Sequence, residues 1–174
     1  MSDEEFWNYA RQRAHAAPEL PSHAEYVDCR LSGGPCLIPL NDLAEVIPPP
    51  YRLARLPGMP AWMTGIMAWR GETIAVVNLD LYFFFPQSAD LPLLNNSVLL
   101  IVHAVGRALG LLVPSLGMTM AVKAEEIVPL DSPHGLPARE AGIFEGMYAD
   151  RPILNISALL ASLVQQIGMA TAHG

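Results

Sequence analysis

The feature that most constrains this chain is the rhythm of its apolar residues, which from His23 onward recur mostly every second position and are repeatedly broken by Gly or Pro. In "HAEYVDCRL", Val27, Cys29 and Leu31 alternate with Tyr26, Asp28 and Arg30, the pattern of a half-buried strand. "SGGP" turns the chain into "CLIPL", where Cys36, Ile38 and Leu40 point inward. "LNDLAEVI" reads as one helical turn running into a strand, which Pro48 to Pro50 end. Further hairpins are expected around Arg70-Gly71, at Val105 to Arg107, and at Asp150-Arg151-Pro152.

Helical signals are confined to the two ends. Ser2 and Glu5 have capping-box spacing, acids fill the first turn, and Arg11, Arg13 and His15 follow, so residues 1–22 read as a helical appendage with a Phe6, Trp7 and Ala10 stripe. At the other end Ile156, Leu159, Leu160, Leu163, Val164 and Ile167 repeat with helical spacing, Asn155 suits the N-cap, and Gly168 suits the stop. Short strands with only brief helices predict an all-β protein of small barrels in tandem, whether or not strands are swapped between them. The polar segment "FPQSADLPLLNN" is the natural midpoint. It divides the main domain, 23–174, into subdomains of about 23–90 and 91–154, followed by a helix over 155–168.

Charge and composition narrow the function. Apolar residues make up 52% of the chain, enough for a sizeable core. With 17 acidic against 10 basic residues the net charge is −7, and no basic stripe offsets it, which disfavours nucleic acid and anionic membrane surfaces. The internal uncharged stretches 91–106 and 108–122 are shorter than the roughly 20 residues that a bilayer requires. The acidic start "MSDEEFWNYA" is unlike a signal peptide. The expectation is a soluble, cytoplasmic protein. Cys29 and Cys36 would face each other across the first hairpin; two buried thiols are favoured over a disulfide in a reducing compartment, and the extra ligands for a metal site are lacking.

No catalytic constellation emerges. G-x-S-x-G, H-E-x-x-H, G-x-G-x-x-G and a phosphate loop with Lys are all absent. His15, His23, His103, His134 and His173 are scattered singly, and Glu125-Glu126 reads as a solvated face. An enzyme would need His103 or His134 joined to a carboxylate by folding, so the reading is no enzyme and no cofactor. Methionines such as Met59, Met63, Met67, Met118, Met120 and Met147 are mainly core filler, with some suited to an adaptable binding surface.

The stretch "LPGMPAWMTGIMAWRGETIAVVNL" resembles the core signature of the CheW-like adaptor family of bacterial chemotaxis. In that family a proline-bearing loop leads through a Gly into an N-L-R-G turn and a strand ending in Asp-Leu. Pro57, Pro60, Gly65, Arg70 and Gly71 fall in register, as do Glu45 in "LAEVI", the "VGRALGLLV" hairpin, Gly146 and "RPILNISALL". The resemblance spans about Glu25 to Val164. Departures fall at Ala68 and Trp69, where the family has Asn and Leu, at Ala75 for Pro, and at Asn78 and Asn155 for Asp.

The resemblance implies two SH3-like five-stranded barrels and a non-enzymatic scaffold, serving chemotaxis or pilus motility. It implies two partners, the regulatory domain of a CheA-type histidine kinase and the cytoplasmic tip of chemoreceptors. It also implies that Glu45, Arg70 and Gly71 shape the partner-facing surface. Arg can hold a carboxylate through its planar fork, so Arg70 is expected to clamp Glu45, with direct partner contact and a plain turn as the other readings. Ile66, Met67 and Trp69 would supply apolar area beside it, with core packing as the alternative role. The rival class is a small-molecule or oligosaccharide-binding barrel module.

Overall fold

A computed structural model describes residues 2–8, 23–49, 51–84, 97–129 and 142–172. Helix α1 covers residues 3–8, and its capping box forms as the spacing predicts: the Ser2 N–H donates to Glu5 Oε2 at 3.0 Å and the Glu5 N–H donates to Ser2 Oγ at 3.3 Å. The rest of the expected appendage, and the midpoint segment 85–96, lie outside the described residues. Ten strands follow: β1 His23–Leu31, β2 Gly34–Pro39, β3 Leu43–Ile47, β4 Met63–Trp69, β5 Glu72–Asn78, β6 Val98–Ala104, β7 Arg107–Val113, β8 Ser115–Lys123, β9 Phe144–Tyr148 and β10 Arg151–Leu154. Two further helices close the halves, α2 at Leu79–Phe84 and α3 at Ile156–Ala172, and a 3-10 turn at Leu40–Asp42 leads into β3 as expected.

The strands form two five-stranded sheets, ordered β8-β1-β2-β10-β9 and β3-β6-β7-β5-β4. Each sheet closes on itself through one antiparallel bridge made by the chain beyond its edge strand. Ala54 and Ile66 exchange N–H···O bonds of 2.9 and 2.8 Å, and Val128 and Met147 exchange two of 2.8 Å. The fold is therefore mostly β, two SH3-like barrels, as expected.

The expected division of the strands is not what forms. A cut near residue 90 runs through both barrels: the first takes β1 and β2 from one half and β8 to β10 from the other, and the second takes β3 to β5 and then β6 and β7. The halves behave as structural repeats that have exchanged partners. In each, a β-hairpin pairs in parallel with a strand of the other half, β2 with β10 and β7 with β5. In each, an Asn then caps a helix: Asn78 Oδ1 accepts from the Leu81 N–H and Asn155 Oδ1 from the Ala158 N–H, both at 3.1 Å. The departures from Asp at these two positions thus leave the cap intact, since either side chain offers the accepting oxygen.

Barrel packing explains a second difference. The alternation in β1 reads as half-buried, yet Tyr26, Val27, Asp28 and Cys29 are all buried. One face of β1 and β2 lines the first barrel with Tyr26, Leu37, Val122 and Ile153. The other face, carrying Val27, Cys29, Cys36 and Ile38, packs on Val77, Leu100, Val102 and Leu111 of the second barrel, with Tyr82 and Phe83 of α2 and Leu159 and Leu163 of α3 between them. The second barrel has its own interior of Trp69, Ile74, Val76, Leu99, Ile101 and Leu112. Strands wedged between two cores have no solvent face. Tyr82 also meets Ser162 Oγ at 2.7 Å, tying α2 to α3.

Two boundaries differ from expectation. The last hairpin turns at Ala149 and Asp150, both with positive φ, so Arg151 and Pro152 begin β10. Helix α3 runs through Gly168 to Ala172. One internal Gly costs a helix about 1 kcal/mol, and the Met and Ala residues that follow are strong helix formers.

Cys29 and Cys36 are directly paired across the hairpin, free and buried. Burial pushes both thiols up, Cys36 to about 12, with the nearby Asp28 carboxylate adding to it. The folded state thus keeps protons that the unfolded chain releases above about pH 9, so each thiol's contribution is intact below that pH and lost as pH rises towards 12. Denaturant melts are expected to show stability falling with a slope of up to about 1.4 kcal/mol per pH unit from Cys36, a slope that Cys36→Ala should remove. An unchanged alkaline slope in that variant would contradict the assignment.

Candidate functional site at the β4–β5 turn

The β4–β5 hairpin turns in two residues, which requires positive φ at both central positions to match the strand twist. Gly71 supplies it at 78° without cost, and Arg70 adopts 47° beside it. This geometry projects Arg70 from the tip, where 66% of its side chain is exposed.

Trp69 precedes the turn on the same strand face as Met67, and both belong to the interior packing of the second barrel. Its indole N–H reaches Glu45 on β3, donating to Oε2 at 2.6 Å. These two residues lie 24 positions apart in the chain and meet because the barrel closes at Ala54 and Ile66. Closure in turn depends on Gly65, where an added Cβ would sit 2.6 Å from the Ala54 carbonyl oxygen.

Glu45 is not clamped by Arg70 in the way the sequence suggests. The nearest approach is Arg70 Nη2 to Glu45 Oε2 at 3.9 Å, too long for a hydrogen bond, and the pair is exposed. Such a pair contributes about 0–1 kcal/mol, whereas a hydrogen bond to a charged acceptor contributes about 1.5–3 kcal/mol. Trp69 therefore holds the carboxylate. The Arg70 guanidinium lies over the indole instead, 4.7 Å from the ring centroid, and His103 from β6 packs on the same indole at 5.3 Å.

Four of the six candidate residues come together here: Glu45, Trp69, Arg70 and Gly71. Trp69 is buried, so it is the support of the turn and not the exposed anchor the sequence allowed; strand parity turns it inward. Met67 packs on the barrel interior, and half-buried Ile66 makes the closing bridge. His103 is the member that sequence reasoning placed elsewhere, as an isolated strand histidine. Its neighbour is the Trp69 ring, and only the pairing of β6 with β3 brings it there. His134 lies outside the described residues. Met118, on β8, is the most exposed large hydrophobic residue of those described, at 82%.

The chain is thus an all-β protein of two five-stranded barrels, each built from strands of both halves of the chain, with a polar turn held by Trp69 and Glu45. Among the described residues no three His, Cys, Asp or Glu side chains gather as metal ligands, and no helix is long and apolar enough to cross a membrane. The chain belongs to the CheW-like domain family, whose model matches residues 25–164. Its structure is similar to the crystal structure of the scaffolding protein TtCheW from Thermoanaerobacter tengcongensis, with a TM-score of 0.63 and 21% sequence identity over 78% of this chain and 88% of that one. At that identity the likeness shows the fold. A comparison with curated proteins gives no match.

Proposed function

We propose that this chain is a non-enzymatic cytoplasmic scaffold that couples the cytoplasmic tips of chemoreceptors to the regulatory domain of a CheA-type histidine kinase, in chemotaxis or pilus-motility signalling. The observation that carries this reading is family membership across residues 25–164, together with a fold shared with a scaffolding protein. Glu45, Arg70 and Gly71 border the partner-facing surface, with Trp69 fixing the turn from behind. Ile66 and Met67 shape the strand that leads to it.

Co-elution of the purified protein with the regulatory domain of a CheA-type kinase from the same cell tests the proposal. Wild type is expected to co-elute. Arg70→Glu, which reverses an exposed charge and leaves the core untouched, is expected to weaken binding by about tenfold or more if the tip touches the kinase. Undiminished binding would move Arg70 to the receptor side or to a structural role. If no such kinase domain binds the wild type, the scaffold reading fails and the ligand-module reading takes its place.

A further inference from the structure

A second charged cluster lies in the first barrel, and comparing the two barrels residue by residue shows that it is out of pattern. Asp28 is paired with Leu37 across β1 and β2, as Ile101 is paired with Gly110 across β6 and β7. Leu37 is in parallel register with Ile153, as Gly110 is with Val76. Counting back two positions along each strand, Arg151 therefore stands where the second barrel has Ile74. Ile74 and Ile101 are buried together in an apolar interior. The first barrel has replaced that apolar pair with Asp28 and Arg151. A buried ion pair is no more stabilising than the well-packed apolar residues it displaces, so stability does not account for the exchange.

The geometry of the cluster points to a ligand. Asp28 is buried, and Gly117 leaves room for its carboxylate: a Cβ there would lie 2.9 Å from Oδ2. Two arginines flank the acid, Arg151 with Nε 3.6 Å from Oδ1 and Arg30 with Nε 3.9 Å from Oδ2. Both approach through the inner nitrogen, which leaves the terminal nitrogens of each fork for another acceptor. Asp28 Oδ1 and Arg151 Nε are buried without a hydrogen-bond partner, so the cluster is not satisfied within itself. Arg30 stands at the open end with 63% of its side chain exposed, and among the described residues no other carboxylate pairs with either arginine.

We infer that this end of the first barrel is a monoanion site that takes a carboxylate side chain of a partner protein. Two arginines and one aspartate leave a local charge of +1, which one carboxylate neutralises, and guanidinium forks match a carboxylate's two oxygens. In a chain of net charge −7 a more highly charged anion is repelled by the remainder of the molecule. Asp28 lies beside both guanidinium groups as a counter-charge, without a hydrogen bond to either. The site is separate from the β4–β5 turn and does not depend on the kinase reading.

The test is an NMR titration of the full chain that follows the Nε–Hε signals of Arg30 and Arg151. The probes are an acetylated, amidated Gly-Gly-Glu-Gly-Gly peptide, its Gln counterpart and inorganic phosphate. Saturable shifts of both arginine signals are expected with the Glu peptide and not with the Gln peptide. Arg30→Gln, an exposed change whose fold a thermal melt verifies, should weaken the Glu peptide about tenfold by removing one fork. Absence of shifts, equal shifts with the Gln peptide, or full affinity in Arg30→Gln would overturn the site. Tighter binding of phosphate than of the Glu peptide would overturn its assignment to a carboxylate.

Discussion

Replacing Asp28 alone with Ala is expected to cost about 3 kcal/mol, while replacing Asp28 and Arg151 together with Ile is expected to leave stability within about 1 kcal/mol of wild type or raise it. The single change leaves the Arg151 Nε buried with no counter-charge, and Ala restores neither volume nor charge. The cost sits at the lower end for a broken buried pair because 29% of the Arg151 side chain still reaches water. The double change reproduces what the second barrel already uses at the matching positions, Ile101 and Ile74. Urea unfolding of Asp28→Ile, Arg151→Ile and the double variant closes a thermodynamic cycle. Losses that simply add in the double variant would show that the two residues act independently and would contradict the pair. Recovery would show that the charges are kept for something other than stability, and the same double variant should then lose the carboxylate site.

Closing the barrels is the second place where one atom should matter greatly. Gly65→Val and Gly146→Val are each expected to cost about 2–5 kcal/mol, from overpacking and from the bridge hydrogen bonds that separate. At Gly65 the first added carbon meets the Ala54 carbonyl at 2.6 Å, and at Gly146 it meets the Ile127 side chain at 2.7 Å and the Val128 carbonyl at 2.8 Å. Backbone on the far side cannot rotate away, so the bridge must open. Gly142→Ala is the control: an added Cβ there meets nothing within 4 Å, and its cost should fall within about 0.5 kcal/mol. Hydrogen exchange at the Ala54 and Ile66 amides should accelerate in Gly65→Val while the β6–β7 amides stay protected. Uniform acceleration would mean that the bridge and the rest of the barrel open as one unit. In Gly65→Val the Glu45–Trp69 hydrogen bond is also expected to be lost, since closure is what brings the two residues together.

Much of the fold was legible because its signals are local. The hairpin at Arg70-Gly71 follows from a turn that needs positive φ, the one expected at Val105 to Arg107 forms with Arg107 already in β7, and the capping box of α1 and the Asn155 cap follow from spacing of three. Strand β8 was harder to read: Leu116, Met118, Met120 and Val122 alternate, but only Pro114 separates them from β7 and Gly117 interrupts the run. Helix α2, six residues long, is too short to show a period. At the candidate site the acid and the arginine were legible, yet their chemistry was not. Whether Glu45 pairs with Arg70 or with Trp69 depends on a separation of about an ångström, which no spacing rule resolves.

The sequence by itself determined most of the strands and turns, the caps of α1 and α3, and the family, because each rests on contacts between near neighbours or on a motif in fixed order. Only the tertiary structure decided which strands share a barrel, that β1 and β2 are buried on both faces, and that Asp28 lies between Arg30 and Arg151. The physical reason is common to all three. Period two says that a strand has two faces, but what covers each face is set by partners from the other half of the chain. In this fold the halves exchange strands, so half of the strand pairings join strands that are not consecutive in the chain.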